Sequence, residues 1–190
     1  FAPQVAAESK TKEYMALATS WIMIVAYLWF RFGSVKWGLA AVVALIHDAL
    51  IALAFVSAAY LIAETFLGRA LMVEAFRIDL AIVAAMLTVV GYSVNDTIIV
   101  FDRIRENRGK LTRVTSQMVN QSINQTLART VLTTISTLLV ILTMYIFGGR
   151  AIHGFNFVML IGIITGTYSS IAVASPLLTL LHRGRTARAG

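Results

Sequence analysis

The chain has 190 residues, 58% of them hydrophobic and 13% charged, with a mean hydropathy of +0.80, a net charge of +7 and no cysteine. Water-soluble domains carry about 45–50% apolar and about 25% charged residues, so the composition excludes a soluble globular domain and makes the lipid bilayer the solvent. Lack of cysteine excludes disulfides and thiolate metal sites, and the positive charge lies in short segments beside apolar runs, where topology and membrane lipids account for it better than nucleic acid does.

In chain order, Phe1 to Glu13 is polar, lacks a starting Met and has no signal-peptide pattern. It reads as the end of an element on the outer face of the membrane. A transmembrane helix needs about 20 mostly apolar residues, and five segments are predicted to span: Tyr14 to Phe32, Trp37 to Ile62, Ile78 to Phe101, Ser122 to Phe147 and Phe155 to Leu181. Alternation puts Arg31 to Lys36, Asp102 to Gln121 and His182 to Gly190 on one face. That face holds Arg31, Lys36, Arg103, Arg105, Arg108, Lys110, Arg113, Arg183, Arg185 and Arg188, against Lys10, Lys12, Arg69, Arg77 and Arg150 on the other. Positive-inside bias makes the richer face, with the C-terminal tail, cytoplasmic. Five spans entering from outside also require an earlier one. The connector Asp102 to Gln121 is expected to be either a helix at the headgroup boundary or a solvated loop.

Within the spans the polar residues carry the functional signal. His47 and Asp48 lie mid-span. As helix neighbours they face different sides, which argues against a shared metal ion and leaves a relay or an interhelical hydrogen bond. Asp96 sits in the third span with Ser93, Asn95 and Thr97 beside it, and a carboxylate at bilayer depth is a functional-site hypothesis by default. On the fourth span Ser122, Thr126, Arg129, Thr133 and Ser136 step by four and three along one helical face. Asp96 and Arg129 fall toward the same end of adjacent antiparallel spans and are predicted partners. Two readings remain open: a structural ion pair, or a proton path in which the hydroxyl row holds water. Burial and a guanidinium act on a carboxyl in opposite senses, so Asp96 is expected to be switchable. Asp102, Arg103, Arg105 and Glu106 read as an interfacial charge cluster. Gly162, Gly166, Ser170 and Ala174 form a small-residue ridge for close helix packing, with Gly91 and Asn95 a shorter version on the third span. Pro176 is expected to kink the last helix.

The strings GYSVNDTIIVFDRIREN (Gly91 to Asn107) and NQSINQTLARTVLTT (Asn120 to Thr134), with IHDALIAL (Ile46 to Leu53) and FGG (Phe147 to Gly149), resemble the SecF family. The resemblance covers nearly the whole chain. It implies an all-α polytopic membrane protein: five transmembrane helices of a six-helix bundle of the resistance-nodulation-division type, lacking its first helix and extracytoplasmic domain. It further implies a proton-driven, non-enzymatic subunit with no cofactor beyond the coupling proton. The expected partners are SecD on the same or a separate chain, the SecYEG translocon, translocating preproteins and membrane lipids. The site is a bacterial cytoplasmic membrane. By the same resemblance Asp96 matches the family's essential intramembrane aspartate and Arg129 its arginine on the next helix, while a further aspartate belongs to SecD. A small-molecule efflux transporter and a passive scaffold are the alternatives. An intramembrane hydrolase is disfavoured because neither GxSxG nor HExxH occurs.

Overall fold

The computed structural model describes residues 2–111 and 113–183. Among these, regular structure is entirely helical: α1 (Ala2–Phe32), α2 (Val35–Ile62), α3 (Phe66–Ala70), α4 (Leu80–Arg108), α5 (Ser116–Phe147), α6 (Arg150–Ser169), a π-helical turn (Ser170–Ala174) and α7 (Ser175–Arg183). Helices are what a bilayer allows, because every backbone polar group must be satisfied within the segment. Four stretches are long and apolar enough to cross a membrane: α2, α4, α5 and the run Arg150–His182 formed by α6, the π turn and most of α7. The apolar part of α1, Ala18–Phe32, is shorter. Five spans were expected, and this one falls short by length because the first half of α1 carries Glu8, Lys10, Lys12 and Glu13. The tail from residue 184 onward lies outside the described residues.

Tight turns make sequential helices antiparallel neighbours. Gly33 ends α1 at φ +57°, the left-handed geometry that favours glycine, and its N–H bonds to Trp29 O at 2.9 Å. Gly149, at φ +74°, starts α6 directly after α5. The connector expected over Asp102 to Gln121 is largely absorbed by its flanking helices, neither a separate interfacial helix nor a long loop. At about 1.5 Å per residue, the 29 residues of α4 and 32 of α5 outrun a hydrocarbon core about 30 Å thick. Arg105 and Arg108 in the last turn of α4 complement the helix dipole. Asn107 then fastens the two extensions, donating to Ser122 Oγ (2.8 Å) and Gln125 Oε1 (2.9 Å).

The core runs the length of the bundle. Near the α1–α2 turn, Phe32 stacks on Trp37 and both meet Phe101 edge-on, with centroids 5.3–5.8 Å apart. The Arg108 guanidinium lies over Trp37, and Arg31 pairs with Asp102 to tie α1 to α4. Midway, Ala52, Ile82, Ala85, Val89, Val158 and Ile163 are buried together. At the opposite end the segment between α3 and α4 is strapped down: the Tyr145 hydroxyl is shared between Leu71 O and Met72 O at 3.0 Å each, and His153 Nε2 lies 2.7 Å from Met72 O.

The ridge on the last helix packs as its spacing predicts. A Cβ on Gly162 would meet Val89 Cγ2 at 2.1 Å, and one on Gly166 would meet Ser93 Cβ at 2.9 Å. The shorter ridge does not: Gly91 has nothing within 4 Å of its would-be Cβ, and Gly91 and Asn95 are both exposed. Ahead of Pro176 the helix widens into the π turn Ser170–Ala174. Proline lacks an N–H and crowds the carbonyl four residues back, and the wider turn absorbs the mismatch. Ser175 Oγ donates to Ser170 O at 2.7 Å, five residues back.

Candidate functional site

α4 is anchored at its start by Asp79, whose carboxylate accepts from Ile82 N at 3.0 Å. Three and a half turns of apolar helix follow before the face turned toward α6 becomes polar, with Ser93, Asp96 and Thr97 all buried. Asp96 is 1% exposed. Its Oδ2 accepts from Thr167 Oγ1 on α6 at 3.0 Å, and Thr167 Oγ1 lies 2.8 Å from Thr134 Oγ1 on α5. A hydroxyl has a single hydrogen, so with Thr167 donating to Asp96, Thr134 donates to Thr167. The result is a directed chain from α5 through α6 to the carboxylate on α4. Asp96 Oδ1, Thr97 Oγ1 and Thr130 Oγ1 are buried with no hydrogen-bond partner within the chain. Leaving such groups unpaired costs about 1–3 kcal/mol each, and the same holds for Tyr92 Oη, Arg108 Nε and the Asn156 side chain.

The predicted pairing of Asp96 with Arg129 is not made. Arg129 is exposed, and no ion pair within 4.0 Å joins it to Asp96. Asp96 points to α6, whereas Arg129 lies on the far side of the α4–α5 contact. There it lines a cleft of about 360 Å³ with Ile99, Asp102, Arg103, Glu106, Gln125 and Thr126. Ile99, three residues beyond Asp96, lines that cleft, and Asp96 does not. Within the charge cluster, Arg103 pairs with Glu106 at 2.6 Å.

The hydroxyl row also divides. Ser122 and Thr126 are buried, but Thr133 and Ser136 are exposed. Thr126, Thr133 and Ser136 all donate to carbonyls of their own helix, at 2.9–3.2 Å. The buried polar face of α5 is Ser122, Thr126, Thr130 and Thr134, a four-residue repeat that shares its first two members with the predicted row and diverges from it at Thr130. Thr130, Thr134, Thr167 and Ser169 were missed. The regular spacing of the first two was their signal, but the same helix offers both rows.

His47 and Asp48 do meet, contrary to the expectation that they face apart. The His47 ring folds back so that Nδ1 lies 3.1 Å from Asp48 Oδ1. Asp48 is fully buried, and its Oδ2 accepts from Ser93 Oγ (2.5 Å) and Ser169 Oγ (2.7 Å). Ser93 thus serves Asp48 and not Asp96. No group of three or more His, Asp or Glu side chains suited to a metal ion occurs among the described residues.

The model of the family "Protein export membrane protein SecD/SecF, C-terminal" matches residues 1–184. Among curated proteins, the protein translocase subunit SecF of Desulfurispirillum indicum is 46% identical over 180 residues, which are 93% of this chain and 52% of that one. The SecF of Koribacter versatilis is 44% identical over 194 residues, 99% of this chain and 44% of that one. The chain thus spans about half the length of the curated relatives it matches. Among solved structures, that of SecDF from Thermus thermophilus, a translocon-associated membrane protein, superposes with a TM-score of 0.75 at 38% identity, over 94% of this chain and 23% of that one. SecDF in its super-membrane-facing form gives 0.72 at 40%, over 92% and 22%. On this match across nearly its whole length, the chain belongs to the SecD/SecF family of protein-export membrane proteins.

Proposed function

We infer that this chain is the membrane portion of a SecF subunit, which packs against SecD and uses proton flow to promote preprotein translocation beside SecYEG in the bacterial cytoplasmic membrane. In this reading α1 is a fifth span, the helices form part of a resistance-nodulation-division-type bundle, and the C-terminus is cytoplasmic. The observation that carries it is Asp96: a carboxylate 1% exposed in a membrane helix, joined through Thr167 to Thr134 on two further helices. Asp96 exchanges the proton and the hydroxyls orient it. Thr97 is buried beside the acid, and Thr134 and Thr167 make the path to it from α5 and α6; of the residues read from the sequence, Ser93 bonds Asp48 instead, and Asn95, Thr133 and Ser136 lie on exposed faces. Arg129, Thr133 and Ser136 face out of the chain, and a guanidinium turned toward lipid is costly. This supports a partner helix covering that face of α5, and SecD is the partner proposed. There Arg129 responds to the charge on Asp96 through the packing of α4 on α5, since the two side chains do not meet within this chain.

One proton falling through 100 mV releases about 2.3 kcal/mol, and about 1.4 kcal/mol shifts a two-state population tenfold. The electrical term alone is therefore enough to bias helix packing. The test is Asp96→Asn in the complete complex, with proton-dependent current and preprotein export both measured. Loss of both is expected. Unchanged values for both would leave a passive scaffold, and intact current with small-molecule extrusion would point to an efflux transporter.

A further inference from the structure

A second carboxylate, Asp48 on α2, is sealed inside the bundle and is left unused by the chain of hydroxyls that ends on Asp96. Its two oxygens draw donors from three helices: Oδ2 takes Ser93 of α4 and Ser169 of α6, and Oδ1 faces His47 of α2. The positions of those two serines matter. Ser93 precedes Asp96 by three residues and so shares its helical face. Ser169 follows Thr167, the donor to Asp96, by two residues. Between them Gly166 rests directly on Ser93, where a Cβ would lie 2.9 Å from the serine Cβ. The α4–α6 register that brings Thr167 to Asp96 is thus the register that brings both serines to Asp48.

We propose that Asp48 is a positioning residue for proton exchange at Asp96, pinning Ser93 and Ser169 to α2 and thereby holding α4 and α6 where Thr167 reaches the Asp96 carboxylate. This rests on the reading of Asp96 as the proton-exchanging group. A charged acceptor is suited to the task, because one carboxylate oxygen has lone pairs for both hydroxyls, and hydrogen bonds to a charged group are the strong ones. Without it the hydroxyls have other places to go. Ser169 Oγ already lies 3.2 Å from Gly166 O on its own helix, and serines in helices readily bond the preceding turn. The seam slackens without coming apart. The titratable group in contact with Asp48 is His47 on its own helix; Asp96 lies one turn beyond Ser93 on α4, and the run from α6 into α7 carries no charged residue between His153 and His182.

The experiment uses proteoliposomes holding the complete complex, with proton flux measured across a pH series and thermal melting followed in parallel. Asp48→Asn preserves shape and leaves one carbonyl oxygen that can face the two serines, but it removes the charge and so trades charge-assisted hydrogen bonds for neutral ones. Ser169→Ala removes one of the two serine ties and leaves Asp96 and Thr167 in place. The expected result is a fall in flux of about tenfold for Asp48→Asn, the scale of one charge-assisted hydrogen bond, with a displaced pH midpoint for the flux that remains. Ser169→Ala is expected to displace the midpoint in the same direction by less. If both variants keep the wild-type midpoint, whatever their melting, Asp48 only holds helices together and the proposal falls. Should Asp48→Asn fail to assemble, Ser169→Ala decides alone. Asp96→Asn separates the two levels: abolished flux there with unmoved midpoints in the Asp48 and Ser169 variants defeats this proposal only, whereas wild-type flux in Asp96→Asn defeats the underlying reading as well.

Discussion

Gly162→Ala probes whether the close approach of α4 and α6 holds the Asp96 site together. The new Cβ would lie 2.1 Å from Val89 Cγ2, 2.5 Å from Cγ1 and 2.8 Å from Cβ. Carbon atoms pack best at about 3.5–4.0 Å, so the contact must open by roughly 1.5 Å. Val89 is fully buried, and a β-branched side chain in a helix has one strongly preferred rotamer. Its Cβ and both methyls are all too close, so rotation brings no relief and the helices must part. Thr167 lies five residues further along α6 and Asp96 seven further along α4. A separation of even a third of that size at their level carries the 3.0 Å Thr167–Asp96 bond to the limit of hydrogen-bond reach. Overpacking costs about 1–3 kcal/mol, and the lost hydrogen bond about another 0.5–1.5 kcal/mol. Melting of the purified complex, with proton flux beside it, measures both terms. Gly38→Ala is the control: nothing lies within 4 Å of its Cβ, and alanine in a helix gains about 0.5–1 kcal/mol over glycine. If Gly162→Ala melts with Gly38→Ala and conducts protons as the wild type does, the seam is not rigid and the reasoning is wrong.

Thr167→Val keeps the shape of the side chain while removing the donor to Asp96 and the partner of Thr134; flux is expected to drop about tenfold with a stability loss of about 1–3 kcal/mol for the buried groups left unpaired, and wild-type flux would show that the hydroxyl chain is idle. Phe101→Ala empties a fully buried site between Phe32 and Trp37. A cost of about 3–5 kcal/mol is expected, read from thermal or denaturant unfolding, and a loss below about 1 kcal/mol would mean the aromatic cluster collapses freely. Tyr145→Phe releases the shared bond to Leu71 and Met72. Amide exchange over residues 66–76 should speed up several-fold, consistent with about 0.5–1.5 kcal/mol of local stability, and unchanged exchange would assign the strap to His153 alone.

The sequence by itself determined that the chain is helical and lies in membrane, that Asp96 is a carboxylate inside an apolar span, and that Gly162 and Gly166 allow a close helix contact. These follow from free-energy terms large enough to be read one segment at a time: the cost of unsatisfied backbone in lipid and of a charge at depth. What it left open is which face of each helix looks inward. Lipid tails and a protein core are equally apolar, so hydropathy finds a span without orienting it, and on α5 two polar rows differ by a fraction of a turn. Only the tertiary structure decided that Thr130 and Thr134 turn inward while Arg129, Thr133 and Ser136 turn out, that Asp96 meets Thr167 and not Arg129, and that Asp48 gathers Ser93 and Ser169 from helices 45 and 121 residues away. The physical reason is that these pairings are set by how α2, α4, α5 and α6 pack on one another. That packing belongs to several helices at once and is written in none of them.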